Sequence, residues 1–353
     1  MILREKIILV LICLLAIGLF VDYNFQIGNE IWEKTIGTPD RYMVMKDSKI
    51  GYINRRGRIV IPPQFQDGVE HFTGGIVPAK ANNRWGYIDT KGRWVIGPQF
   101  RKVDLFSDGI AHVITESRSF GKEGFIDETG KLIIPAQFID ARNFSEGWAA
   151  VKPHDKWGYI NKSGEMVIIP RFKQAGPFSD GMAVVRMESR WGYINGNGVL
   201  VIEQLFDKAK PFSQGIAAVA YKNRWAYINK SGNFLCDFIF EQANNFVEGV
   251  AAVKQNGKWG YINTKGELAV IPTFQEARGF SEGLAAVRTP DPPESKRHGQ
   301  WGYINISGKF VIKPEYDFAG SFNGGWARFG KGRDNIKRGY IDKNGKVVWK
   351  PTR

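Results

Sequence analysis

Residues 157–172 read WGYINKSGEMVIIPRF. They comprise Trp157-Gly158-Tyr159-Ile160, a turn at Asn161-Lys162-Ser163-Gly164, then Met166-Val167-Ile168-Ile169 and Pro170. Two short runs of aromatic and β-branched residues separated by an Asn-x-x-Gly step predict a β-hairpin. Asn at the first turn position caps the backbone with its side-chain oxygen, and the glycine closes the turn at positive φ. Strand alternation puts Trp157 and Tyr159 on one face, with Gly158 and Ile160 on the other. These amides and acids are therefore turn formers, not metal ligands or catalysts.

The same stretch is written repeatedly. Its glycine column runs Gly51, Gly86, Gly124, Gly158, Gly192, Ala226, Gly260, Gly302 and Gly339, in steps of 35, 38, 34, 34, 34, 34, 42 and 37 residues. An aromatic residue, an Ile and an Asn or Asp follow in all nine copies, and the turn glycine comes three residues later. A period of about 34 residues means stacked or radially arranged supersecondary units. Beyond the hairpin, Pro63, Pro98, Pro170, Pro272 and Pro314 remove a ladder N–H and are expected to end the apolar strand. Two rings, such as Phe172 and Phe178, then flank a small residue, here Ala175. This reads as a short turn or one-turn helix pinned into the core. An F-x-x-G turn and a strand such as Leu284-Ala285-Ala286-Val287 complete the unit.

Each unit is thus expected to be a three-stranded antiparallel meander plus a connector, unable to bury its apolar faces without neighbours. Trp85, Trp157, Trp191, Trp225, Trp259 and Trp301 could form a ligand platform, but inter-repeat core is the ordinary fate of such rings. The fold class expected is all-β: nine tandem ~34-residue antiparallel β-meander repeats in an open solenoid-like array, preceded by one N-terminal apolar helix. A closed β-propeller-like ring is the alternative. It is placed second because propellers use about four to eight blades of four strands, whereas three strands are counted per unit. Neither end of the array is a split unit awaiting its other half.

The N-terminus reads differently. Arg4 and Lys6 precede an uncharged run over residues 7–21. As a helix it spans roughly 22 Å, short of the ~30 Å hydrocarbon core. The organisation expected is a signal peptide or membrane anchor over 1–22, a linker over 23–41 and the repeat array over 42–353. No A-x-A-like cleavage site follows, which favours an uncleaved anchor over a secreted form, and the positive flank places the array outside the cytoplasm. Of two cysteines, Cys13 lies in the apolar run, and Cys236 alone builds neither a disulfide nor a zinc site. Cys236 is expected to be a small buried apolar residue.

These motifs resemble the WG-repeat (KWG-repeat) family of bacterial proteins. The likeness rests on the Trp-Gly-Tyr-Ile runs, the [ND]-x-x-G turns and P-x-F-x-x-A-x-x-F-S-x-G stretches such as Pro170-Arg171-Phe172 through Phe178-Ser179, over roughly residues 42–351. The resemblance implies a non-enzymatic repeat array, loosely similar to cell-wall-binding repeats, with no catalytic residue and no cofactor. The sequence departs from it at Ala226, at Glu123 and Arg338 in the Trp column, and in the proline-less fifth and sixth units.

With a net charge of +14 and a pI near 9.6, the chain favours anionic partners. One column concentrates this charge. Two residues before the repeat glycine stand Lys49, Arg84, Lys122, Lys156, Arg190, Arg224, Lys258, Gln300 and Lys337. All but Gln300 are candidate ligand-binding residues, a ladder for a periodic anionic wall polymer or glycan. Insertions at 115–123, 289–300 and 330–338 fall in the adjoining hairpin and mark the same rim. The competing reading is a solvated strand edge guarded by cations. An envelope protein is the alternative partner, with the membrane contacted through the N-terminal helix. Nucleic acid is set aside because the export signal places the array outside. His71, His112, His154 and His298 occupy unrelated positions in their units, and no nucleophile–base spacing, metal motif or phosphate-cradling loop occurs. The chain is expected to be a binding scaffold, not an enzyme.

Overall fold

The structure is a computed structural model that describes residues 41–350 except 71, 73, 116–121, 292–297 and 333–336. The anchor helix expected over 1–22 and the linker up to residue 40 lie outside the described residues. Among the described residues all regular structure is β, and no helix is long and apolar enough to cross a membrane.

The strands form nine separate antiparallel sheets, each a meander whose strands follow chain order. Blade 4 shows the plan. A two-residue leading strand, Asp140–Ala141, pairs with Trp148–Lys152, which pairs with Trp157–Asn161, which pairs with the outermost strand Met166–Phe172. The other blades cover 42–65, 67–100, 102–138, 174–206, 208–240, 242–274, 276–316 and 318–349 in order.

This corrects the open solenoid-like array. In a β-solenoid, strands of successive turns would pair into continuous sheets; here no sheet continues into the next. The connector read as a turn or one-turn helix supplies the fourth strand, which makes the unit a propeller blade. The fold is therefore of the β-propeller class, built from nine blade-like sheets as in the alternative, and not a solenoid. A two-residue strand has no alternating pattern to betray it, which is why only three strands per unit were legible. Proline also does not end the outer strand: Met166–Phe172 runs through Pro170. An edge strand tolerates the missing N–H because that strand has a neighbour on one side only.

The chain divides into two compact units. Of the described residues, one takes in 41–188 with Asn195–Val199; the other takes in Ser189–Ile194 and 200–350. Within each, the core lies between successive blades. In the first, Phe125, Ile134 and Phe138 of blade 3 pack with Ala149, Val151 and Ile160 of blade 4. In the second, Tyr261 and Phe274 of blade 7 pack with Ala285, Val287 and Ile304 of blade 8. The Tyr and Ile of each W-G-Y-I run therefore face opposite neighbours, as alternation requires.

Polar groups stitch the same junctions. Tyr159 Oη donates to the Gly176 carbonyl of the next blade at 2.8 Å, and Tyr261 Oη to Arg278 O at 2.6 Å. Each ring also meets the next blade's Phe edge-on, Tyr159 to Phe178 at 5.0 Å and Tyr261 to Phe280 at 4.9 Å. In the F-S-x-G turns, Ser145 Oγ donates to Phe178 O (2.6 Å) and Ser213 Oγ to Phe246 O (2.7 Å). The acid before the turn glycine serves too: Glu146 accepts from the Gly181 amide and Glu248 from the Gly283 amide. Each such bond adds about 1 kcal/mol and, more importantly, leaves no turn amide buried without an acceptor.

Candidate functional site

Three features could carry function: the basic rim, an interior row and the outer edge. In eight of the nine blades a basic residue stands at the start of the W-G-Y-I strand or just before it, next to the hairpin. Lys49 and Lys122 are exposed; Arg84, Lys156 and Lys258 are half-buried. Several reach across their own blade to its outer strand. Lys122 Nζ lies 3.5 Å from Gln137 O, Arg190 Nη1 3.2 Å from Leu205 O, and Arg224 Nη1 3.3 Å from Ile239 O. Lys258 Nζ donates to Gln275 Oε1 at 3.1 Å, and Arg190 also pairs with Asp207 at 2.5 Å. Lys337 begins the strand Lys337–Asp342. Each of these residues thus holds the same place in its own blade, and the contacts described for Lys122, Arg190, Arg224 and Lys258 are made within or just beyond that blade. The insertions on this rim fall largely outside the described residues.

The interior row was not foreseen. In blades 4, 6 and 8 the residue after the leading strand turns inward over the blade's tryptophan. The Arg142 guanidinium lies 4.8 Å from the Trp157 ring, Lys210 Nζ 5.6 Å from Trp225, and Arg278 5.0 Å from Trp301. Burial lowers the Arg142 pKa to about 10 and that of Lys210 to about 8. The indole faces offset part of that cost through cation–π attraction. Trp157 and Trp301 are buried, whereas Trp85, Trp191, Trp225 and Trp259 are half-buried. These rings serve blade packing more than a ligand platform.

Blade 3 fills the same slot differently. Asp104 stands where blade 4 has Arg142, Glu123 where it has Trp157, and His112 where it has Ala150. His112 Nδ1 bonds Asp104 Oδ2 at 2.9 Å and Nε2 bonds Glu123 Oε2 at 2.8 Å. Two carboxylate acceptors call for two ring donors, so the imidazole is doubly protonated. Burial alone would lower its pKa, but both hydrogen bonds and both charges oppose this and push it up to about 9. The His112 hydrogen bond in turn lowers Asp104 against a burial that would raise it. Asn143 of blade 4 accepts from the His112 amide at 3.0 Å, and the Ala141 amide donates to Glu123 at 2.5 Å. The cluster is closed on all sides and only 4% of the His112 side chain is exposed, which makes it a lock between blades. Sequence inspection registered Glu123 alone. Its partner lies eleven residues earlier on the paired strand, and only reading the two columns jointly would have matched them.

The third feature is the outer edge. Outermost strands show a recurring pattern in which only the third and seventh residues are buried. Exposed apolar side chains recur at the other positions: Leu132 and Ile133, Met166 and Val167, Leu200 and Val201, Phe310 and Val311. Ile169 is 68% exposed. Blade 6 departs from this plan: Ala226 replaces the glycine, and its outer segment pairs through two isolated bridges, Trp225 with Phe240 and Ile228 with Phe234. Cys236 lies in this segment, half-buried instead of buried, and burial raises its thiol pKa. Among the described residues no group of three or more His, Cys, Asp or Glu side chains is placed to hold a metal ion.

Comparison with known proteins follows the same lines. No curated protein matches the chain. A crystal structure of the eukaryotic initiation factor is 9% identical, with a TM-score of 0.64 over 89% of this chain and 95% of that one, a likeness of fold alone. The dihydro-heme d1 dehydrogenase NirN is 12% identical at TM-score 0.49, covering 94% of this chain and 75% of that one. The Hsv2 protein of Kluyveromyces lactis is 9% identical at TM-score 0.41, covering 66% and 94%. The family model described as WG containing repeat matches residues 50–85, 85–114, 124–157, 157–191, 191–225, 225–259, 259–289 and 301–333. Eight of the nine units carry the match, and the chain belongs to the family of WG-containing repeat proteins.

Proposed function

We propose that this protein is a non-enzymatic scaffold that binds protein partners along the exposed edges of its blades. The observation that carries this reading is the repeated apolar surface of the outer strands, exemplified by Met166, Val167 and Ile169. Contiguous exposed apolar surface of this kind costs solubility and is retained where a partner covers it. The blade interiors, by contrast, are committed to packing and stitching.

A second reading is favoured by the basic column, with cations in eight of nine units on one rim. It is a ladder for an anionic envelope polymer or glycan, and the envelope placement expected from residues 1–22 belongs to this proposal. The two readings respond oppositely to salt. Cross-linking of the full chain in native extract should join partner proteins to the outer strands at low and high salt alike. A polyanion would instead be retained at low salt only and released by replacing Lys156, Arg190 and Lys258 with Gln. Cross-links confined to the hairpin rim and abolished by salt would overturn the edge-binding reading in favour of the ladder.

A further inference from the structure

The outer edge is not uniform. At the sixth position of the outer strand the other blades carry Gln64, Gln99, Gln137, Arg171, Thr273 and Glu315, all polar. Blades 5 and 6 alone carry apolar residues there, Leu205 and Ile239, and Leu205 is 60% exposed. The same two blades lack the proline that the outer strands of blades 1–4, 7 and 8 carry at Pro63, Pro98, Pro135, Pro170, Pro272 and Pro314. Proline on an edge strand discourages pairing with a further chain, so Leu200–Phe206 is an unguarded edge.

The irregular outer segment of blade 6 lies beside that edge. Phe234 is 53% exposed, with its ring 6.4 Å from Phe206 and 5.2 Å from Phe238. Phe238 in turn lies 6.1 Å from Tyr221, an exposed ring at the hairpin tip. Cations border this aromatic surface. The Arg190 guanidinium is 5.4 Å from the Tyr221 ring and Lys222 Nζ 5.3 Å, while Arg224 is held on Ile239 O. The nearby Asp207 is already engaged by Arg190 and by the Lys222 amide.

We propose that this edge of blade 5, with the irregular segment of blade 6, docks an extended protein segment. That segment adds as a strand to Leu200–Phe206 and carries acidic residues beside an apolar anchor. The inference rests on the edge-binding reading above and assigns it a place and a ligand chemistry. Strand addition draws affinity from main-chain hydrogen bonds and specificity from alternate side chains. Tyr221, Phe234 and Phe238 would take the anchor, and Arg190, Lys222 and Arg224 the acids.

The test uses the full chain, panned against a displayed library of random peptides about a dozen residues long, a span that matches two strand lengths. Enriched peptides are synthesised and titrated by fluorescence anisotropy. The expected peptides combine Asp or Glu with Phe or Leu. Their affinity should fall at least about tenfold with Leu205→Asp and with Arg224→Glu, and stay unchanged with Ile271→Asp in blade 7. All three side chains lie at the surface, and thermal melts followed by circular dichroism confirm that the variants fold. Peptides lost with Ile271→Asp but not with Leu205→Asp would overturn this site while leaving edge binding intact. An absence of enriched peptides, or peptides indifferent to all three variants, would overturn both.

Discussion

Blades 6 and 7 have the same length and share the repeat frame, yet they end differently. In blade 7, a Cβ on Gly260 would collide with the Val270 carbonyl oxygen and come within 2.6 Å of Pro272 N, so the outer strand Leu268–Phe274 lies directly on the glycine. In blade 6, Ala226 is fully buried and the outer strand is reduced to two bridges. The glycine column is thus a seat for the neighbouring strand, and a single methyl group accompanies its loss. Blades 3 and 4 teach the complementary lesson. One inward slot accepts either a guanidinium on an indole or a carboxylate–imidazolium–carboxylate row. In both, each charge brought inside comes with a partner of matching chemistry.

The largest effect is expected from His112→Ala, which strands Asp104 and Glu123 at the junction of blades 3 and 4. Urea unfolding should show a loss of about 3–5 kcal/mol, as for a buried pair deprived of one member. The same measurement across pH sharpens the point. Folded His112 titrates near 9 against 6.5 for an unperturbed ring, so above 6.5 the unfolded chain holds fewer protons than the folded one. Its contribution is complete below pH 6.5 and is lost as pH rises through about 9. The loss is on the order of a few kcal/mol, and it should be absent in His112→Ala. A variant with the same alkaline slope as the parent would break the assignment of a charged ring.

Next comes Gly260→Ala, which asks blade 7 to become blade 6. Overpacking against backbone should cost about 1–3 kcal/mol. Amide exchange should accelerate over residues 268–274, while blade 8 stays protected. Unchanged exchange there would show that the methyl group is not what releases the outer strand. The smallest effect belongs to the reverse change. Ala226→Gly should alter stability by less than about 1 kcal/mol, because the glycine's entropic penalty remains while the outer segment still lacks its proline and pattern. Full protection of residues 234–240 in that variant would overturn this and place the whole difference in one side chain.

Much of this molecule was legible in one dimension. The hairpin formed by W-G-Y-I and V-I-I, its Asn-x-x-Gly turn and the Leu284-Ala285-Ala286-Val287 strand appear where the period placed them. The serine and acid of F-S-x-G were visible as text but not as function, because their acceptors and donors lie a full repeat away. The basic column was located correctly on its strand. What it touches was not legible, since Arg190 and Arg224 reach carbonyls fifteen residues downstream.

By itself the sequence determined the unit, because turn chemistry and alternation are local and repeat every 34 residues or so. It also determined that the units must lean on one another, since none has enough apolar surface to shelter alone. The tertiary structure decided the rest: that a short further pairing gives seven of the nine units a fourth strand and makes the units propeller-type blades. It also decided which irregular columns meet. Those outcomes turn on contacts between residues distant in the chain, where shape and charge are judged jointly and no single position carries the answer.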